Sequence, residues 1–156
     1  MSENLTGKNA NAKQFICFKL NGQEFGVDLS GVIEVLPMAE ITPVVHTPPF
    51  IKGVINLRGQ IIAIIDLKIL FLLAAEEIPE KANIVIVHSM DKTAGFLVDS
   101  ISKIHSCETA DKDSIPATIT GKMAEYLEGV ARIGGRPFMI IDLNSLFGSE
   151  EFARFE

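Results

Sequence analysis

The chain carries much of its own sequence twice, and that repetition limits the fold more than any other feature. Residues 50–71 read FIKGVINLRGQIIAIIDLKILF, and residues 126–147 read YLEGVARIGGRPFMIIDLNSLF. They align without a gap. Gly53 falls on Gly129, Val54 on Val130, Gly59 on Gly135, Asp66-Leu67 on Asp142-Leu143 and Leu70-Phe71 on Leu146-Phe147. Chance similarity between two Ile/Val-rich strands explains the isoleucines, but not paired glycines, Asp-Leu and Leu-Phe in one register. The repeat runs upstream more faintly. Gln14 to Phe18 matches Asn83 to Val87, Phe25-Gly26-Val27 matches Ala94-Gly95-Phe96, and Val32 with Val35 matches Ile101 with Ile104.

The repeat predicts a first β unit over residues 14–73 and a second over 83–148, joined by an acidic, proline-bearing linker at 74–82. Residues 1–13 read as a disordered lead-in, and 149–156 as a tail ending in a short helix. Each unit is all-β. Asn21-Gly22 is a strong hairpin signal, because both residues tolerate positive φ, and Arg58-Gly59 marks a second hairpin. Asp66 and Asp142 close strands and can cap the helical turns that follow. About five strands per unit suit a small closed or nearly closed barrel. Two such units, each marginal alone, would share a core face.

Composition then excludes function classes. Lys and Arg number 14 against 20 Asp and Glu, a net charge of -6, with no basic stripe to neutralise phosphates. Nucleic acid and anionic membranes are disfavoured as partners. The apolar window from Val54 to Ala75 is broken by Asn56, Arg58, Gln60, Asp66 and Lys68, so it reads as core strands and not a membrane span. The amino terminus has no apolar signal-peptide core. Two cysteines, Cys17 and Cys107, fit a reduced cytoplasmic protein and cannot build a disulfide framework.

Catalytic and metal chemistry finds little support. His46, His88 and His105 lack ligand spacing, so no metal is expected. Cys107 stands two residues from His105 without an orienting third group. Asp66 and Asp142 occupy equivalent repeat positions, which favours capping over a two-carboxylate reaction centre. No phosphate-binding glycine loop or nucleophile elbow occurs. No cofactor is expected, and the chain reads as a non-enzyme that presents surfaces to partners.

A repeat also supplies an internal control: shared residues serve the fold, and residues that break the repeat are candidates for function. Arg58 stands opposite Gly134, and Asn56 opposite Arg132. Arg58 is either a solvated turn residue or a rigidly mounted five-donor group for a partner. Val32 and Val35 read as core-facing strand residues or as contacts. Glu34 between them points to the opposite face, either solvated or on a charged rim.

The run from Phe50 to Gly59, followed by Asp66-Leu67, resembles the CheW family. Supporting matches are Phe25-Gly26-Val27-Asp28 with Val32 and Glu34, Ile41-Thr42, Pro48, Gly95 with Asp99, and Leu127-Glu128-Gly129. The resemblance covers residues 14–148. It implies two five-stranded SH3-like β-barrels, and a non-enzymatic adaptor that couples chemoreceptor tips to the regulatory domain of the histidine kinase CheA, recruited from the cytoplasm to membrane-associated receptor arrays. By position, Glu34, Ile41, Thr42, Pro43 and Gly53 match the kinase side. Val32, Asn56, Arg58, Gly95, Ile101 and Ile104 match the receptor groove. Val45 and Ala63 stand where the family commonly has proline. Similar proteins serve pilus-motility and other chemosensory pathways. A small-ligand-binding double barrel, or an enzyme using Asp66 or Cys107, are the readings outside that class.

Overall fold

The computed structural model describes residues 13–73, 78–107, 115 and 121–153. Ten strands fill most of that length: β1 (Lys13–Leu20), β2 (Gln23–Asp28), β3 (Val32–Pro37), β4 (Ile51–Leu57), β5 (Gln60–Asp66), β6 (Asn83–Ser89), β7 (Lys92–Val98), β8 (Ser100–Cys107), β9 (Leu127–Ile133) and β10 (Arg136–Ile141). Helical turns follow at Leu67–Leu70, Lys122–Glu125, Leu143–Phe147 and Glu150–Ala153. The expected classes of element are present, including the short helix near the carboxyl end. Residues 1–12 of the expected lead-in at 1–13, residues 74–77 of the linker and residues 154–156 lie outside the described residues.

Two five-stranded sheets form, ordered β8-β1-β2-β10-β9 and β3-β6-β7-β5-β4. We call them roll A and roll B. Replacing each strand by its repeat equivalent turns one order into the other, so the repeat is structural. Its boundaries, however, are not those of the sheets, and the division into one barrel over 14–73 and another over 83–148 is corrected. Strands β1 and β2 of the first repeat join β8, β9 and β10 of the second, while β3, β4 and β5 join β6 and β7. Chain crossing explains this. After β2 a tight turn at Leu29–Gly31, capped by Asp28, whose carboxylate accepts from the Ser30 amide at 2.9 Å, sends the chain into the other sheet. Residues 74–82 consequently join two strands of roll B and do not separate two domains. The repeats meet where β2 runs parallel to β10 and β5 parallel to β7.

Alternation along each strand divides the apolar residues among three cores. Phe15 and Cys17 of β1 face the inside of roll A with Ala131, Phe138 and Ile140. Ile84 and Ile86 of β6 face the inside of roll B with Ile55, Ile62, Ile64 and Leu97. The intervening residues, Ile16, Phe18, Val85 and Val87, pack between the rolls with Phe25, Phe71 and Tyr126. Both faces of β1 and β6 are thus buried, which is why these strands read as continuous apolar runs. Burying this surface at about 25 cal/mol per Å² is the main favourable term for a chain of this size. Phe152, on the last helical turn, stacks on Phe50 at 5.5 Å and meets Phe147 edge-on at 5.3 Å, so the tail closes the shared core.

The repeated acids do what their spacing predicts. The Asp66 carboxylate accepts from the Lys68 amide at 3.0 Å, and the Asp142 carboxylate from the Ser145 amide at 3.1 Å. Each acid's own amide donates to the carbonyl 16 positions earlier, Phe50 or Tyr126, at 2.8 Å. They are structural caps. Among the described residues no helix is long and apolar enough to cross a membrane.

Candidate functional site

Four hairpin tips share one backbone geometry, with both central residues at positive φ: Asn21-Gly22, Arg58-Gly59, Met90-Asp91 and Gly134-Gly135. That turn matches the twist of the flanking strands. At the β4–β5 tip the first position is Arg58, at φ 52°, where the other repeat has Gly134 at φ 57°. A side chain in that region costs about 1–2 kcal/mol, and the other repeat avoids the cost with glycine. Asn56 holds the tip, its side-chain oxygen accepting from the Gly59 amide at 2.9 Å.

The arginine reaches across to Glu34 on β3. Its Nη1 donates to Oε1 at 3.0 Å, and its Nη2 to Oε1 and Oε2 at 2.8 and 2.9 Å. Glu34 is aimed there by a shift in the β3–β6 register between Val32 and Glu34. Thereafter Glu34 pairs with Ile86 of the roll B interior and Val35 with Val85 of the shared core, so the two face opposite ways as the alternation predicts. Strands β3 and β4 are the two edges of roll B, and the ion pair ties one edge to the tip at the other. Arg58 keeps 66% of its side-chain surface exposed and Glu34 28%, so the arginine is accessible to a partner while its two terminal nitrogens hold Glu34.

A second seam closes the same edges. Thr42 exchanges backbone hydrogen bonds with Val54, both at 2.9 Å. Gly53 makes this approach possible: a Cβ there would lie 2.3 Å from the Thr42 carbonyl oxygen and 2.7 Å from the Ile41 side chain. Ile41 packs against the roll B core, while Thr42 and Pro43 are exposed beside it. Gly53 therefore shapes this surface without offering a side chain to it.

The remaining predicted residues divide. Val32 and Ile101, equivalent in the repeat, are half-buried against the shared core. Ile104 is exposed on β8, and Val35, its equivalent, on β3. Gly95, matched to the receptor groove by position, offers no exposed surface of its own. It lies buried in β7, where a Cβ would sit 2.7 Å from the Ile64 side chain and 2.9 Å from that of Ile84. Its equivalent Gly26 meets Phe138 in the same way inside roll A. Both glycines serve packing.

The departures from the proline pattern fall in separate places. Val45 is exposed before His46, which turns at φ 62°, and Ala63 pairs with Val54 on β5. Sequence reasoning missed a partly buried ion pair between Lys68 and Asp99, 2.8 Å apart, with Asp99 also accepting from the Asn21 amide at 2.8 Å. It joins a helical turn to two strand connections.

Groups with enzymatic potential are turned to other uses or shielded. His88 Nδ1 lies 2.8 Å from the Thr93 hydroxyl, and His105 packs on the Phe138 ring at 6.0 Å. Burial pushes the Cys107 thiol up, and burial first, then Glu24 and Cys107, push the Cys17 thiol up to about 12. Neither supplies an activated thiolate. Among the described residues no three His, Cys, Asp or Glu side chains gather in a way that could hold a metal ion.

The described residues thus pair two five-stranded rolls, one of which carries an exposed arginine on a hairpin tip. The CheW-like domain family matches residues 14–151. Chemotaxis protein CheW of Klebsiella aerogenes is 32% identical over 141 residues, covering 90% of this chain and 85% of that protein. Protein FrzA of Myxococcus xanthus is 29% identical over 133 residues, covering 85% and 82%. The crystal structure of the scaffolding protein TtCheW from Thermoanaerobacter tengcongensis matches with a TM-score of 0.78 at 31% identity, over 89% of this chain and 94% of that one. The chain belongs to the CheW family of chemotaxis proteins, which are scaffolds and not enzymes.

Proposed function

We propose that this chain couples the cytoplasmic tips of chemoreceptors to the histidine kinase CheA, acting in the cytoplasm at membrane-associated receptor arrays. The observation that carries the reading is Arg58. It breaks the repeat, occupies a costly backbone conformation and presents a largely exposed side chain on a tip fixed by Asn56 and Glu34. Val32, Ile101 and Ile104 supply apolar surface on the two edge strands for the receptor. The Ile41–Pro43 seam, shaped by Gly53 and flanked by Glu34, faces the kinase regulatory domain. Glu34 thus bridges both sets, since its carboxylate holds the receptor-side arginine.

The test is reconstitution with a receptor cytoplasmic fragment and CheA. Arg58→Ala should lower receptor-dependent kinase activation sharply while shifting the melting temperature little, because exposed ion pairs contribute at most about 1 kcal/mol. Arg58→Lys should restore little, since the three bonds to Glu34 need a planar fork. Charge reversal, Glu34→Lys, should weaken kinase binding by about 1–3 kcal/mol. Wild-type activation by Arg58→Ala, or loss that merely follows unfolding, would refute the assignment.

A further inference from the structure

The mouth of roll A is the repeat counterpart of the Arg58–Glu34 mouth, and its chemistry is reversed. Lys103 occupies the place of Glu34, Gly134 that of Arg58, and Arg136 that of Gln60. With no arginine to span it, a groove of about 270 Å³ opens there, its lining including the cations Lys19, Lys103 and Arg136, the acid Glu24, and Ile101 and Ile133. Neither Lys19 nor Lys103 has a carboxylate partner among the described residues. Arg136 touches Glu24 through one nitrogen at 3.3 Å and keeps 71% of its side-chain surface exposed. Ser102 Oγ is buried without a hydrogen-bond partner among the described residues.

We propose that this groove binds an extended acidic peptide segment of a protein partner. Three cations beside one acid form a local positive site on a chain of net charge -6. That overall charge repels a long polyanion, while one or two carboxylates on a peptide meet only the local field. Whether phosphate competes for these cations is one of the outcomes of the test below. Ile101 and Ile133 add apolar walls suited to alternating acidic and aliphatic side chains. The groove runs along β8, an edge strand of its sheet, which is where extended segments dock. Its volume falls just below the range of about 300–1,000 Å³ typical of metabolite pockets. Roll B shows the same recognition within one molecule, since there a carboxylate is already held by the tip arginine.

The probe is a fluorescein-labelled peptide alternating glutamate and isoleucine, titrated with the full chain and followed by anisotropy. Its counterpart carries glutamine in place of glutamate. The glutamate peptide should bind, more weakly as salt rises, and Lys103→Glu should reduce affinity about tenfold. Lys81→Glu changes net charge equally on an exposed site outside the groove and should leave affinity within twofold of wild type. Arg136→Gln gives a second, milder loss and keeps the test open should Lys103→Glu fail to fold. Equal binding of the glutamine peptide, an equal loss in Lys81→Glu, or displacement by inorganic phosphate at matched charge would each overturn the proposal. Tighter binding of a single-stranded RNA oligomer would overturn it as well.

Discussion

Roll B carries Glu34 and Arg58 where roll A carries Lys103 and Gly134 at matching positions of the repeat. The backbone at the two tips is nearly the same, with φ 52° at Arg58 and 57° at Gly134, so the difference is one of side chains alone. Elsewhere the repeats agree in what they do. Gly26 and Gly95 admit neighbouring side chains inside their rolls, and Asp66 and Asp142 cap helical turns. Shared positions therefore hold the double roll together, and positions that differ decide what each mouth offers. Roll B presents a sealed edge with a fixed cation, whereas roll A presents an open basic groove.

The largest effect that can break this comparison is at Gly53, where the roll B edges are sealed. A methyl group at that position would lie 2.3 Å from the Thr42 carbonyl oxygen, so either the Thr42–Val54 pairing or the strand must move. Gly53→Ala should lose about 3 kcal/mol of unfolding free energy in urea, since backbone cannot give way as a side-chain end can. Gly59→Ala has open space around it and should lose only the backbone cost of about 1–2 kcal/mol. If both variants lose the same amount, the seam does not hold roll B closed.

The sequence made the strands and two tips legible and hid their partners. Asn21-Gly22 and Arg58-Gly59 announce their turns because glycine at the second position is a known requirement of that geometry. Met90-Asp91 adopts the same turn without glycine, and nothing in its composition signals this. The exchange of strands between repeats was hidden for a different reason. Runs such as Phe15 to Phe18 and Ile84 to Val87 are buried on both faces, so their pattern states burial and not which strand lies alongside. At the site, Arg58 was visible as a break in the repeat. Its bond to Glu34, 24 residues away, depends on β3 lying across from the β4–β5 tip, which only the topology supplies. The burial of Gly95 was equally hidden, because a glycine that admits close packing looks the same in sequence as one that lines a surface.

The interiors of the rolls differ too, and alkaline pH can expose that difference. Cys17 of roll A occupies the position of Ile86 in roll B. Burial, Glu24 and Cys107 raise its thiol from an ordinary value of 9.0 to about 12. The folded state therefore holds this proton more tightly than the unfolded chain. The associated stability is complete below pH 9 and is lost as pH rises through that interval toward 12. At pH 10 the loss attributable to Cys17 is about 1 kcal/mol. Cys17→Val, which makes the interior resemble roll B, removes that contribution. Unfolding free energies at pH 8 and pH 10 should fall less in the variant by that amount, and parallel pH dependences would show that this thiol's proton is not linked to folding.

The smallest effect concerns the ion pair itself, and it asks whether Arg58 and Glu34 are joined for stability or for binding. Both side chains keep contact with water, so the coupling between Glu34→Ala and Arg58→Ala in a double-mutant cycle should be about 0.2–1 kcal/mol and should shrink in 1 M salt. The same pair can be built into roll A with Lys103→Glu and Gly134→Arg. Since the two tips share their backbone angles, the graft should show a similar coupling. The grafted chain should nonetheless be less stable than wild type by about 1 kcal/mol, because arginine replaces glycine at positive φ. Native roll B bears that same cost for a pair that returns no more than it. A positioned arginine with no net gain in stability is what a residue held for a partner requires. A native coupling above about 2 kcal/mol, well beyond the range for exposed pairs, would instead make the pair a structural clasp. Coupling in roll B with none in the graft would show that the two mouths differ in more than their side chains.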